Sequence, residues 1–448
     1  MTGRRRCLAL AVALAACASE RAEPASGTST AAQSSAPAPA PPPPPERRAS
    51  RPWPALPTSP AELAALVAAE TRRPPGPVRG LDAPGLLAAL RSGVARGSVA
   101  AGYPAIAEAL GAKVAAARAA GRPSYLLFGA HHDSGGQVEA FRRLVGALGV
   151  RPAPLVAVEL FRADGGWGGA PDEAGRGDDA ALAAFLAHGD LDALETLRRA
   201  QLRHDYTAFK YGYVERVLDL AIELRAAGRQ LVGCDMPAAL QARARPALAG
   251  GVDALRDLHC ALALERALGR RGGAPDEPEI VALFYGDAHL APDRLPRHLP
   301  ARAELLAVHL VGERHGDTGV EAGLGGLELT EPLLVPLGAA GGAEEHALVL
   351  PGGRLAARHE RVRERAAPAA EPHLAASGSV GVLHLAGARV PLDGAPHEVP
   401  VRPGRAVFLL EVGARLVAGA LEVPAGGSAA VDLELDGTVR LTERSPEP

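Results

Sequence analysis

The sequence predicts an α/β protein: a doubly wound, mostly parallel sheet with helices on both faces, followed by a small C-terminal all-β domain. Five short apolar runs alternate with helical stretches between residues 120 and 312, as expected for strands buried on both faces. Polar residues gather just after those runs, where open α/β sheets bind their ligands. From about Ser377 the texture changes to short runs separated by Gly, Pro and Asp, which reads as a sandwich. The 448 residues are 47% hydrophobic and 22% charged, enough for a sizeable core. With 48 basic against 51 acidic residues the net charge is −3. That balance excludes a strongly basic nucleic-acid binder.

The N-terminus reads as a leader. Arg4, Arg5 and Arg6 precede an apolar run, Leu8 to Ala16, too short for the roughly 20 residues that span a bilayer. It ends Leu14-Ala15-Ala16-Cys17, which resembles a bacterial lipobox. The expectation is a signal peptide over 1–16, cleavage before Cys17, and lipidation of that cysteine. Residues 17–51 form a Pro/Ala-rich tether with a proline run at Pro41–Pro45. The body is then held outside the cytoplasm in the bacterial cell envelope by a lipid membrane anchor. Ala18 is not an aspartate, so the outer membrane is favoured over the inner. Cys7 leaves with the leader. Cys234 and Cys260 remain, either bridged or as two small buried hydrophobes.

Residues 52–362 are assigned to the α/β domain, with a helical N-terminal extension. Ser59-Pro60-Ala61-Glu62 is a capping-box start. The apolar runs are Ser124–Phe128, Pro154–Val158, Gln230–Cys234, Glu279–Tyr285 and Glu304–Val311. Helices are expected over 137–148, 179–203 and 204–227, and from Cys234 to about Leu268. Glu345–Arg354 resembles a hairpin. Residues 363–376 are a linker and 377–448 the β domain, in which Asp436-Gly437 marks a hairpin turn.

The residues that follow the runs form one list of candidates for a strand-end pocket. They are His131, His132 and Asp133, then Glu159 and Arg162, then Asp235, then Asp287 and His289. Two of these ends share Gly-x-x-His, at Gly129/His132 and Gly286/His289. His132, Glu159 and His289 make a candidate divalent-metal or proton-transfer cluster. Asp133 serves equally as a helix cap. His309, inside a run, reads as a satisfied core histidine. His188, His315, His346, His359 and His373 read as solvated surface. Tyr206, Phe209 and Tyr213 share a helical face with Val217, Leu220 and Leu224. That face is either a core stripe or a wall for a planar ligand, with a phenol as iron ligand. Arg162–Asp178 is a candidate lid or an insertion. Walker, HExxH, Gly-x-Ser-x-Gly and Gly-x-Gly-x-x-Gly motifs are missing.

Leu126–Asp133, Val156–Phe161, Val232–Pro237, His259-Cys260 and Phe284–His289 with Leu295-Pro296 together resemble the ChaN-like lipoproteins. These haem-binding proteins are linked to iron uptake, in a wider superfamily with TraB/Tiki and erythromycin-esterase-like proteins. The resemblance covers about residues 120–312. It implies haem as cofactor, tyrosine ligation by Tyr213 or Tyr206, and a homodimer. Family members commonly carry Gly-Glu-x-His-Asp at the first strand end, and here Ala130 replaces that glutamate. The first expected function is therefore a membrane-anchored haem-binding lipoprotein in haem or iron acquisition. The second is a metal-dependent hydrolase of the Tiki or erythromycin-esterase-like kind, holding a divalent metal ion on His132, Glu159 and His289. A third is a degenerate scaffold acting through its β tail.

Overall fold

The central strands are buried on both sides, and alternate residues face different helices. The computed structural model describes residues 53–74, 81–131, 134–151, 153–162, most of 181–204, 213–271, 279–312, 324, 327–340, 342–351, 381–392, 401, 403–412, 415–423, 428–433 and 439–444. Cys17, the tether, His132, Asp133 and Tyr206 lie outside the described residues. So does the candidate lid beyond Arg162, and so do His315, His359 and His373.

In chain order the elements are α1 (Pro60–Ala69), α2 (Ala83–Arg96), β1 (Ala100–Ala101), α3 (Tyr103–Ala119), β2 (Ser124–Ala130), α4 (Gly135–Ala147) and β3 (Leu155–Arg162). Then come α5 (Leu191–His204), α6 (Tyr213–Ala226), β4 (Leu231–Asp235), α7 (Ala238–Leu248), α8 (Val252–Arg271), β5 (Ile280–Gly286) and β6 (Glu304–Val311). The C-terminal part holds β7 (Leu327–Leu329), β8 (Leu333–Ala340), β9 (Ala343–Val349), β10 (Gly381–Leu385), β11 (Ala388–Leu392), β12 (Gly404–Val412), β13 (Arg415–Val423), β14 (Ser428–Leu433) and β15 (Val439–Arg444). No helix among the described residues is long and apolar enough to cross a membrane.

The large sheet runs β1-β8-β9-β6-β2-β5-β3-β4. From β9 to β4 every neighbouring pair is parallel, while β8 and β1 close one side antiparallel. Leu126, Phe128, Val156, Val158, Ala282 and Phe284 pack with residues of α3, α4 and α6. Their odd-numbered neighbours Tyr125, Leu127, Leu155, Ala157, Leu283 and Tyr285 pack with α8. This double burial is why the strands read as unbroken apolar runs. The five predicted runs become β2 to β6 within two residues at their N-terminal ends.

Helix starts follow local chemistry. The Ser59 hydroxyl accepts from Glu62 N at 3.2 Å, and the Glu62 carboxylate accepts from Thr58 N at 2.7 Å. The cap of α4 is Ser134, which accepts from Gln137 N at 3.2 Å; the expected cap, Asp133, lies outside the described residues.

A second sheet, antiparallel but for one pairing, runs β11-β10-β12-β13-β7. Its last member, β7, comes from before residue 363 and pairs parallel with β13. One core cluster joins Leu86, Leu90 and Val94 of α2 to Leu333 and Val335 of the large sheet and to Leu409 and Ala418 of the second. β14 and β15 pair antiparallel as the Asp436-Gly437 signal implies, with the turn itself outside the described residues.

Two expectations need correction. The hairpin does not lie within Glu345–Arg354; it is formed by β8 and β9, and Gly342 in the turn has φ 80°. His346 therefore falls in mid-strand, 2% exposed, and is not solvated surface. His188 is exposed as expected.

Burial pushes the His346 and His298 imidazoles down to about 4, and that of His259, stacked on Trp53 at 4.5 Å, down to about 3. Between pH 6.5 and 4 the unfolded chain binds protons that these folded histidines refuse. Stability must then fall as pH drops through that window, by up to about 1.4 kcal/mol per pH unit for each histidine. Urea unfolding from pH 7 to 4 checks this: His298→Gln is expected to show a shallower decline than the parent.

Candidate functional site

Parallel strands of one sheet end on one side, and four of them deliver polar groups there. Register places Gly129 of β2 between Tyr285 of β5 and His309 of β6, while Glu159 follows the Val158–Phe284 pair of β3 and β5. β3 loses regular register between Val158 and Arg162 and rejoins β4 where Arg162 pairs with Asp235.

Arg256 of α8 gathers the carboxylates. It donates to Asp235 twice, at 2.8 and 3.0 Å, and to Glu159 Oε1, and it lies 3.5 Å from Asp253. Burial opposes the guanidinium charge, yet Asp235 and Glu159 outweigh it and hold the pKa above the usual arginine value. The second oxygen of Glu159 accepts from Gly286 N at 2.6 Å. Asp235 also accepts from Met236 N at 2.7 Å and from the Gln241 amide at 3.2 Å.

Asp257, next to Arg256 on α8, is fully buried and accepts from His289 Nδ1 at 2.6 Å. This bond fixes the imidazole tautomer and leaves Nε2 as the basic nitrogen, 4.0 Å from Glu159 Oε1. Burial pushes the Asp257 carboxyl up, while His289 and Arg294 pull it back. The Tyr285 ring, with its centroid 4.5 Å from that of His289, walls the imidazole.

A second histidine–carboxylate pair sits beside the first. Asp287 Oδ1 lies 2.7 Å from His309 Nδ1. Its path crosses Gly129, where an added Cβ would meet Leu290 at 2.8 Å and the Asp287 Cα at 3.1 Å. That close approach is why glycine stands there.

The structure therefore unites Glu159, Asp235 and His289, and seats Asp287 next to them. His131 is half-buried, and its backbone N–H donates to the side chain of Gln137 at 2.7 Å. Arg162 ends β3 opposite Asp235, with its side chain outside the described residues. Cys234 and Cys260 form a disulfide that ties β4 to α8. Tyr213 is not brought to the cluster: it is 1% exposed and packs against Phe284, on the opposite face of the sheet from Tyr285. With Val217, Leu220 and Leu224 it forms a core stripe among the described residues, while Tyr206 and Phe209 of the same face lie outside them.

Sequence reasoning missed Arg256 and Asp257; His309, read as a satisfied core histidine, is mostly buried and bonded to Asp287. The signal was present. Asp257, Cys260 and Leu264 fall on one face of α8, so a carboxylate sat on the face that packs against the sheet.

Among the described residues no three His, Cys, Asp or Glu side chains converge as metal ligands. Of the three expected metal ligands, His132 lies outside the described residues. Glu159 Oε1 already receives a guanidinium, and His289 Nε2 stands 4.0 Å from it, wide for two ligands that each sit about 2.1 Å from one metal.

No family model matches the chain, and no curated protein matches it. Among solved structures, that of the type III effector HopBA1 is similar at 12% identity and TM-score 0.29, covering 51% of this chain and 88% of that one. A likeness that low carries no argument.

Arg256 compensates two nearly buried carboxylates. Its replacement in Arg256→Ala leaves both uncompensated, and a loss of about 3–5 kcal/mol is expected in urea unfolding at pH 7. A loss below 1 kcal/mol would mean the cluster is solvated.

Proposed function

We propose that this chain is a lipid-anchored hydrolase of the cell envelope that cleaves carboxylic esters or amides by acid–base chemistry at the strand ends. The observation that carries this reading is the His289–Asp257 pair, with Nε2 turned toward Glu159 at 4.0 Å. A buried carboxylate on Nδ1 holds the imidazole in place, and Nε2 takes a proton from an attacking water. Glu159, fixed by Arg256 and Gly286 N–H, faces the imidazolium that forms.

The local charge narrows the substrate. Glu159, Asp235, Asp253, Asp257 and Asp287 stand against Arg256 and Arg294. Such a site repels phosphoesters and suits neutral or cationic carbonyl substrates. The reading follows the hydrolase side of the ChaN-like and Tiki resemblance and routes no step through a metal. Haem ligation by Tyr213 is disfavoured by its packing in the core, and Tyr206 lies outside the described residues. The body is read as a doubly wound domain because alternate strand residues meet different helices. The C-terminal strands are read as an all-β domain that borrows β7. Cys17 and the tether would hold both at the membrane.

The test uses the full-length protein and a panel of neutral carboxylic esters. His289→Ala and Asp257→Asn are expected to lower kcat/KM by about 10²–10⁴ with the fold retained. Unchanged hydrolysis in His289→Ala overturns the reading. A Soret band on haemin titration that vanishes in Tyr206→Phe or Tyr213→Phe restores haem carriage instead.

A further inference from the structure

We propose that His309, seated by Asp287, is a second catalytic residue of this site: the proton donor to the leaving group. The inference rests on the hydrolase reading above and assigns protonation of the leaving group to a residue other than the base His289.

Three observations carry it. First, His309 is a polar side chain on a strand face whose preceding residues are apolar. On the same face of β6, Leu305 and Ala307 are 1% and 0% exposed, whereas the His309 side chain is 14% exposed. The imidazole keeps a solvent contact that the residues before it lack. Second, its partner arrives by a made opening. Asp287 leaves β5, crosses β2 at Gly129 and meets His309 on the far side. A clamp for the turn after β5 needs no charge, since apolar side chains would fill the same gap without desolvating a carboxylate. Third, the two pairs repeat one design at one level of the sheet. His289 has Nδ1 on Asp257, and His309 has Nδ1 on Asp287. The strands that carry Tyr285 and His309 are separated by β2 alone, about 10 Å across two interstrand spacings. The two histidine–carboxylate pairs therefore sit on nearby strand ends of the same sheet.

The charges facing His309 favour its protonated form. Burial opposes that form, but Asp287 outweighs it, with help from Glu345, so the imidazole pKa is raised. His346 of β9 lies on the other face of the sheet and is held neutral by burial.

The chemistry balances without a further reactant. Water oxygen adds to the acyl carbon as His289 Nε2 takes its proton. The tetrahedral intermediate then collapses, and the electron pair of the breaking C–O bond passes to the leaving oxygen. That oxygen takes the Nε2 proton of His309, giving alcohol and acid. His289 returns its proton to bulk water and His309 regains one from it, so one water is consumed per ester.

Leaving-group dependence tests this. A general acid matters for an alkoxide and little for a stabilised phenolate. In His309→Gln, kcat for simple alkyl esters is expected to fall at least a hundredfold, and for 4-nitrophenyl esters of the same acid less than tenfold. Gly129→Ala, which displaces Asp287 and leaves His309 in place, is expected to show the same selective loss, and guards against a folding defect in the first variant. Equal effects of His309→Gln on both ester classes, with His289→Ala inactive, overturn this proposal and leave the hydrolase reading standing. Full activity in His289→Ala, or no hydrolysis of any ester by the parent, overturns the hydrolase reading and this one with it.

Discussion

Two carboxylates nearly removed from water at the ends of adjacent strands require a cation, and Arg256 supplies it. Its fork spans Glu159 on β3 and Asp235 on β4, so α8 is held against both strand ends. The next residue is Asp257, and its position against His289 follows from the position of Arg256. One helical turn on, Cys260 is bridged to Cys234, the residue before Asp235. Charge pairing and a covalent link thus fix the same helix to the same strand from two sides.

Much of this was written in the sequence, for a definite reason. Strands buried on both faces carry apolar residues at every position, so their ends are visible as the first polar residue. Glu159, Asp235 and Asp287 were legible on that ground alone. Residues on a helix were not, because an amphipathic helix carries charge on one face as a matter of course, and the sequence does not announce which face meets the sheet. Arg256 and Asp257 were lost in that pattern. His309 sits inside an apolar run and reads as packing; its bond to Asp287 depends on the absence of a side chain at Gly129, a contact between distant segments that no local pattern carries. His346 was misplaced because Gly352-Gly353 look like a turn as much as Gly341-Gly342 do, and the pairing of β8 with β9 selects the earlier pair.

The second sheet shows where composition misleads about boundaries. The change of texture near Ser377 is real, yet β7 lies before it and pairs with β13. Helix α2, near the start of the described chain, supplies apolar residues to a core shared by both sheets. Residues that adjoin in space here are more than 300 apart in sequence, as with Arg91 and Glu411 at 2.5 Å. Such pairings leave no trace in periodicity.

The bridge between Cys234 and Cys260 closes a ring with a sequence separation of 26. Asp235, Arg256 and Asp257 all lie inside that ring. When heat or denaturant melts the molecule under oxidising conditions, these three groups stay leashed to one another while other contacts are lost. Chain entropy then penalises the disordered ensemble most around these three residues, and reassembly of this part of the strand-end cluster begins from a pre-drawn loop.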